Sequence, residues 1–288
     1  MSSLTVATSP DAGPGLGAAL AAALRYVAAW RGQIVVVKCG GSVLEDGATG
    51  TLAEDLALLH RAGVRPVLVH GGGPAIDRAL RTQGVAPRFL DGLRVTDAAT
   101  MAVVEAVLAG DVNPRLVAAL QAAGAPAVGL TGRDGGLLRV RPRAPQLGYV
   151  GEVERVEPRL LRQLLEGGWL PVVAPLGVGP EGASYNLNAD TAAAALAVGL
   201  GAAKLVVLTD VPGVLRAGER VSELTPAEAE ALIQQGVVRG GMIAKLRACL
   251  RAVADGVGSA HVVGAGEPHG LLVELFTEGG AGTWIRPA

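Results

Sequence analysis

Aromatic side chains make up only 3% of this 288-residue chain, and charged ones only 18%. So few aromatics leave little for stacking nucleic-acid bases. The formal net charge of -1 gives no basic footprint for nucleic acid or an anionic membrane surface. The two cysteines, Cys39 and Cys249, lie outside any CxxC or His/Cys cluster, which argues against a structural zinc and a disulfide framework. They fit a reducing, cytoplasmic setting. No basic start precedes an apolar run near Met1, so no secretory signal is expected. The longest apolar stretch, 191–208, is broken by Gly199, Gly201 and Lys204. It reads as a helix end followed by a strand, not as a membrane span. Familiar nucleotide and nucleophile signatures are missing too. There is no GxxxxGK[ST] loop and no GxSxG elbow, and no GxGxxG is expected to follow a strand.

What is present is half apolar and rich in glycine, 42 residues of it. The length suits one large domain or two modest ones. Residues 1–14 are rich in Ser, Pro and Gly and are expected to be loose, and 16–30 read as a helix. Buried strands are expected at 34–38, 66–70, 125–130, 169–175 and 204–210. Helices are expected near 51–62, 74–83, 97–109, 114–123, 158–167, 190–200, 225–235 and 241–255, with Asn113 as an N-cap before Pro114. Continuous β-branched runs alternating with helices predict an open three-layer α/β/α sandwich with a mainly parallel central sheet. The stretch 139–156 reads as a β-hairpin insertion. A boundary near residue 180 would divide the chain into an N-terminal segment and helix (1–30), an N-terminal lobe (31–180) and a C-terminal lobe (181–288).

Three glycine-bearing turns follow strands: Lys38-Cys-Gly-Gly-Ser42, His70-Gly-Gly-Gly-Pro74 and Thr209-Asp-Val-Pro-Gly213. Ligands of open α/β sheets bind beyond the carboxyl ends of the strands, and such turns turn backbone N–H groups toward anions. Two further elements stand out. Asn186-Leu-Asn-Ala-Asp190 opens a helix, where Asn188 or Asp190 alone would serve as a cap. Gly240-Gly-Met-Ile-Ala-Lys245 puts a lysine one turn into a helix behind a flexible glycine pair. A surface ion pair is the ordinary use of a residue such as Arg94. His70 ends a strand and is given no catalytic role, and His60 and His261 have no motif around them.

Together KCGGS, HGGGP, GLRVTD (92–97), NLNAD, LTDVPGVL (208–215), GGMIAK and GTWI (282–285) resemble the amino-acid kinase family, in its acetylglutamate-phosphorylating branch. The resemblance runs from about 16 to 285. It implies transfer of a phosphoryl group from ATP, with Mg2+, to the side-chain carboxylate of N-acetyl-L-glutamate in arginine biosynthesis. It also implies an amino-acid site in the N-terminal lobe and an ATP site in the C-terminal lobe. Carried over by resemblance, Lys38 and Lys245 spread the transition-state charge and Asp190 holds both ammonium groups. Gly41, Gly72 and Gly73 cradle the transferred phosphoryl and the substrate carboxylate. Arg94 grips the α-carboxylate and Asn186 contacts the acetylated amine. Gly40, Gly41, Thr209, Asp210, Gly213 and Met242 join the two lysines around ATP. Magnesium is expected to arrive on ATP, without a protein cage.

The segment 21–41 resembles the N-terminal helix of arginine-inhibited members, in which dimers join as a trimer of dimers. Tyr26, His269 and Glu278 then fall where an L-arginine effector binds. Cys39, Ser42 and Ala244 depart from common family residues without touching the lysines. Two rivals share the fold: a kinase for carrier-protein-linked aminoadipate or glutamate, and a non-catalytic amino-acid sensor. HGGGP, GLRVTD and NLNAD favour the free acetylated substrate over the first, and the two lysines with Asp190 argue against the second.

Overall fold

A computed structural model describes residues 14–45 and 49–287. The loose segment expected at 1–14 lies outside the described residues, except that Pro14 opens the first helix. The N-terminal half runs α1 (Pro14–Trp30), β1 (Ile34–Cys39), α2 (Gly41–Glu45), α3 (Thr49–Arg61), β2 (Arg65–His70) and α4 (Gly73–Thr82). It continues with β3 (Phe89–Leu90), β4 (Leu93–Arg94), α5 (Ala98–Val107), α6 (Asn113–Ala122), β5 (Ala127–Thr131), β6 (Leu138–Pro142), β7 (Gly151–Val156) and α7 (Arg159–Glu166). Then come β8 (Leu170–Ala174), β9 (Leu176–Val178), β10 (Ser184–Asn186), α8 (Ala189–Leu200) and β11 (Lys204–Thr209). The chain closes with β12 (Leu215–Arg216), β13 (Glu219–Arg220), β14 (Glu223–Leu224), α9 (Pro226–Gln234), α10 (Gly241–Ala254), β15 (Ala260–Gly264), α11 (Gly270–Phe276) and β16 (Thr283–Ile285).

Eight strands form the main sheet in the order β14-β16-β15-β11-β1-β2-β8-β5. Among the described residues only β15 and β16 pair antiparallel within it. The central strands are apolar on both faces, and their alternate residues sort into two separate cores, as a period of two requires. Val36, Val67 and Val207 pack with residues of α7, α8, α9 and α10, such as Leu161, Leu196, Ala229 and Leu246. Val35, Val37, Leu68 and Val206 pack with residues of α3, α4, α5, α6 and α11, such as Leu56, Ile76, Val104, Leu116 and Leu271. This double burial is the three-layer sandwich expected from the sequence.

The hairpin expected at 139–156 is β6–β7, with a bulge between Arg139 and Val140. It belongs to a second sheet, in the order β10-β9-β6-β7. The boundary expected near 180 falls at the tip of the β9–β10 hairpin. The expectation that no GxGxxG follows a strand is corrected here: Gly177, Gly179 and Gly182 have that spacing after β8, but they turn β9 into its antiparallel neighbour and not into a helix. The stretch 191–208 divides as expected, into α8 and β11 around Gly201, whose φ of 64° ends the helix. Among the described residues no helix is long and apolar enough to cross a membrane.

One local expectation is overturned. Asn113 does not cap a helix. The chain passes from α5 through a π-helical turn, Leu108–Val112, directly into α6, and Asn113 itself has helical angles, φ -59° and ψ -54°. Its amide is instead buried and donates to the carbonyls of Leu130 and Val172. Asn188 is the true cap in the other motif: its side chain accepts from the N–H groups of Asp190 and Thr191. Asn188→Ala should therefore lower unfolding free energy by about 1 kcal/mol, read by urea titration, with the native fold retained.

Candidate functional site

Parallel β1, β2 and β11 bring their carboxyl ends to one edge, with Cys39 beside both His70 and Leu208. The first two glycine turns meet there. A Cβ on Gly41 would lie 2.8 Å from Cδ of Pro74 and 2.9 Å from the Gly73 nitrogen. A Cβ on Gly72 would lie 2.6 Å from Cδ2 of Leu108. Only glycine permits this approach. The second turn leads into α4, whose first N–H groups have no partner within the helix and face the junction.

Two lysines converge on one carboxylate at the same edge. Lys38 Nζ lies 2.8 Å from Oδ1 of Asp190, and Lys245 Nζ lies 3.4 Å from Oδ2. Strand β1 delivers Lys38, the first turn of α8 delivers Asp190, and α10 delivers Lys245. Lys38 and Asp190 are only 3% and 5% exposed. Burial lowers the Lys245 pKa, and the neighbouring Lys38 lowers it further. The cluster thus carries one positive charge in excess in a poorly solvated place. Such an excess is costly unless an anion joins it.

Arg94 is not a surface ion pair. It is 8% exposed, and Nη1 lies 2.6 Å from Oδ1 of Asp77. Nη2 donates to the Gly73 carbonyl at 3.2 Å, and the guanidinium sits 4.9 Å from the centroid of the Phe89 ring. Asn186 donates to Thr96 Oγ1, which donates to the Arg94 carbonyl. So Arg94, Gly73 and Asn186 belong to one hydrogen-bonded group. Asp77 and Thr96 were missed by sequence reasoning. Only the α4 helical pattern could have aimed Asp77 at this side, and nothing in it names Arg94 as the partner.

On the other flank, Thr209 ends β11 and donates to Asp210 Oδ1 at 3.0 Å. Gly213 adopts φ 150°, and a Cβ there would lie 2.7 Å from Oγ1 of Thr283. Thr283 accepts from Val214 N and donates to the Val221 carbonyl, so it fixes the third turn from the far end of the chain. Met242 sits in the first turn of α10 and packs on the core. A Cβ on Gly40 would lie 3.5 Å from Lys38 Nζ. Among the described residues no group of three His, Cys, Asp or Glu side chains is gathered at metal-binding spacing. Burial pushes the Cys39 thiol up to about 12 and holds it neutral beside the two lysines.

The expected effector residues lie elsewhere, around the packing of α1 on α11. Tyr26 is a half-buried residue of α1, His269 precedes α11, and Glu278 follows it exposed. His269 Nδ1 lies 2.6 Å from Oδ1 of Asp55, and that carboxylate raises the imidazole's pKa. Sequence reasoning missed a buried ionic group beneath them. Glu274 meets His261 and Lys204 and accepts from the N–H groups of Ala281 and Gly282. Burial opposes its charge, but these partners outweigh burial and hold its carboxyl at about 2. Trp30 covers the group, with Lys204 Nζ 5.1 Å from its ring centroid, and donates to the Leu275 carbonyl.

A family model described as the amino acid kinase family matches residues 33–264. The chain belongs to this family. It is 48% identical to an acetylglutamate kinase of Acidiphilium cryptum, covering 93% of this chain and 94% of that one. It is 47% identical to an acetylglutamate kinase of Synechococcus sp., covering 92% and 87%. Among solved structures it is similar to an N-acetylglutamate synthase of Neisseria gonorrhoeae complexed with coenzyme A and N-acetyl-glutamate, with TM-score 0.85 and 32% identity. That match covers 94% of this chain but only 63% of the synthase chain. The same synthase with coenzyme A and L-arginine matches at TM-score 0.83.

His70 gives a test of the site's architecture. Burial lowers its pKa from 6.5 to about 4. The unfolded chain therefore takes up this proton first as pH falls. Stability due to the neutral imidazole is complete above pH 6.5 and is lost as pH drops toward 4, by on the order of 3 kcal/mol. Urea unfolding at pH 7 and pH 4.5 should show wild type losing more stability over this interval than His70→Asn does.

Proposed function

We propose that this amino acid kinase transfers the γ-phosphoryl group of ATP to the side-chain carboxylate of N-acetyl-L-glutamate. The product is N-acetyl-L-glutamyl 5-phosphate, the acyl phosphate of arginine biosynthesis. The observation that carries the reading is the pair of lysines held on Asp190, Lys38 buried at 2.8 Å and Lys245 half-buried at 3.4 Å. A carboxylate oxygen attacks the γ-phosphorus while the bond to the ADP oxygen breaks. Both reactants are anionic, so positioning and charge stabilisation are the main needs. Lys38 and Lys245 supply two positive charges from different elements of the fold, and Asp190 keeps their ammonium groups together before the anions arrive. The acceptor carboxylate is already ionised at neutral pH, so no general base is needed.

The turn at Gly40 and Gly41, with Gly72 and Gly73, presents N–H groups to the acceptor and the transferred phosphoryl. Arg94 binds the substrate's α-carboxylate through a planar fork, and Asn186 binds its acetamido group. Thr209, Asp210, Gly213 and Met242 line the nucleotide side. Residues 31–180, joined by Asn186 from beyond the boundary, would then hold the amino acid, and the rest of 181–288 the nucleotide. Magnesium enters on the phosphates of ATP and screens their charge. Two buried free cysteines fit a cytoplasmic enzyme.

Feedback by L-arginine and assembly of dimers into a trimer of dimers belong to the same proposal. Leu20 and Leu24 of α1 are each 60% exposed, which leaves apolar surface for another subunit. Tyr26, His269 and Glu278 flank the α1–α11 contact, and Glu278 offers a carboxylate to a guanidinium. The synthase of similar fold that was solved with L-arginine supports this.

Hydroxylamine trapping of acyl phosphate, with MgATP, should show turnover of N-acetyl-L-glutamate and not of L-glutamate, L-aspartate or carbamate. Lys38→Ala and Lys245→Ala should each lower kcat by on the order of a hundredfold or more, and near-wild-type turnover would sink the two-lysine mechanism. Arg94→Lys should raise KM for acetylglutamate by about tenfold or more while changing KM for ATP little. Added L-arginine should inhibit the wild type and inhibit Glu278→Gln less. Sedimentation of wild type should show a hexamer.

A further inference from the structure

His70, Asn113 and the π-helical turn lie behind the glycine turn at 71–73 and have no part in the chemistry above. His70 is fully buried at the end of β2. Its Nδ1 lies 2.9 Å from the carbonyl oxygen of Gly71. A carbonyl only accepts, so Nδ1 carries the proton and donates. On the other side, Asn113 Nδ2 lies 3.1 Å from His70 Nε2. An amide nitrogen only donates, so Nε2 is unprotonated and accepts. The same Asn113 amide reaches the carbonyls of Val172 and Leu130, which fixes which end of the amide faces the ring. One tautomer of a neutral imidazole satisfies both ring contacts, while the two amide hydrogens of Asn113 are shared among three acceptors.

The π-helical turn explains why Asn113 can do this. The wider turn at Leu108–Val112 offsets α6 from α5. It places Leu108 against Gly72 and turns the Asn113 amide inward beneath β2, β5 and β8. The Gly71–Gly72 peptide is trans, since there are no cis bonds among the described residues. Its C=O and N–H therefore point in opposite directions. With the Gly71 carbonyl held toward the buried ring, the Gly72 N–H is aimed away from it.

We propose that His70 is a positioning residue: as the Nδ1–H tautomer set by Asn113, it locks the Gly71–Gly72 peptide so that the Gly72 N–H faces the reacting anions. This rests on the kinase reading above and assigns a task within that site. The lock matters because the glycine turn has no side chains of its own to hold its peptide planes. A donor that rotates away at the transition state forfeits the preorganisation that makes it useful. The imidazole's lowered pKa, about 4, means that the lock does not open through the neutral range.

The test has two arms. The first uses the wild-type chain labelled with 15N-histidine. Its nitrogen shifts and couplings should show His70 protonated at Nδ1 and bare at Nε2 from pH 5.5 to 8. A ring protonated at Nε2, or titrating near 6.5, would overturn the proposal. The second arm compares His70→Asn, whose Nδ2 keeps a donor in the place of Nδ1, with His70→Leu, which has none. Both variants will lose thermal stability. His70→Asn should keep kcat within about threefold of wild type. His70→Leu should lose kcat by on the order of ten- to a hundredfold, with KM for ATP and acetylglutamate changed less than about threefold. Equal kcat in the two variants, or a loss confined to Tm, would show a merely structural histidine. Should His70→Leu fail to fold, Asn113→Ala carries the same readout, since it removes the donor to Nε2 that, with the Gly71 carbonyl, holds the ring as the Nδ1–H tautomer; an unchanged tautomer and kcat there would overturn the proposal. If wild type turns over no acetylglutamate, the kinase reading fails, and the NMR arm still decides whether the imidazole is locked.

Discussion

The unbalanced charge around Asp190 is the constraint to which the rest of the architecture answers. Two ammonium groups share one carboxylate with little water near them, and that cluster holds together only if each group is fixed by its own element. A strand end, a helix start and a second helix provide the fixation. The parallel sheet makes it possible, because every strand of a right-handed α/β crossover points its carboxyl end to the same edge. Asn188 caps α8 and so fixes the first helical turn that carries Asp190. The surplus positive charge is then directed at whatever anion enters.

Much of this was legible in the sequence, for definite reasons. The buried strands announced themselves because residues covered on both faces need no polar alternation. The glycine turns announced themselves because glycine is dispensable almost everywhere except where backbones must touch, as at Gly41 and Pro74. Lys38 and Lys245 were recognisable from the motifs around them, and the structure places both on Asp190. The short strands β3, β4, β9 and β12 to β14 were not legible, since two or three residues carry no period. Nor were β15 and α11 singled out, although β15 is a buried run of the same kind as the others.

The partners of the named residues were the least visible. Asp77 meets Arg94 across 17 positions of chain, and Thr283 reaches Val214 from near the C-terminus. A pairing made only in three dimensions leaves no local signature. Asn113 misled for a related reason. Asn before Pro is a sound helix-start pattern, but the π-helical turn let the chain continue as helix and released the amide for tertiary use. Tertiary demand overrode local preference where the second glycine turn needed support from below.

The two cysteines have a consequence beyond chemistry. Cys39 lies in the core layer that α3 to α6 share with the sheet, and Cys249 in the layer on the opposite face. Both thiols are buried, and burial raises the pKa of each. A thiol must be exposed and ionised to react with an alkylating reagent. Each is therefore silent until its own layer parts from the sheet. The molecule carries a built-in pair of clocks, one on each side of the sheet, and the two labelling rates would time the opening of the two layers independently.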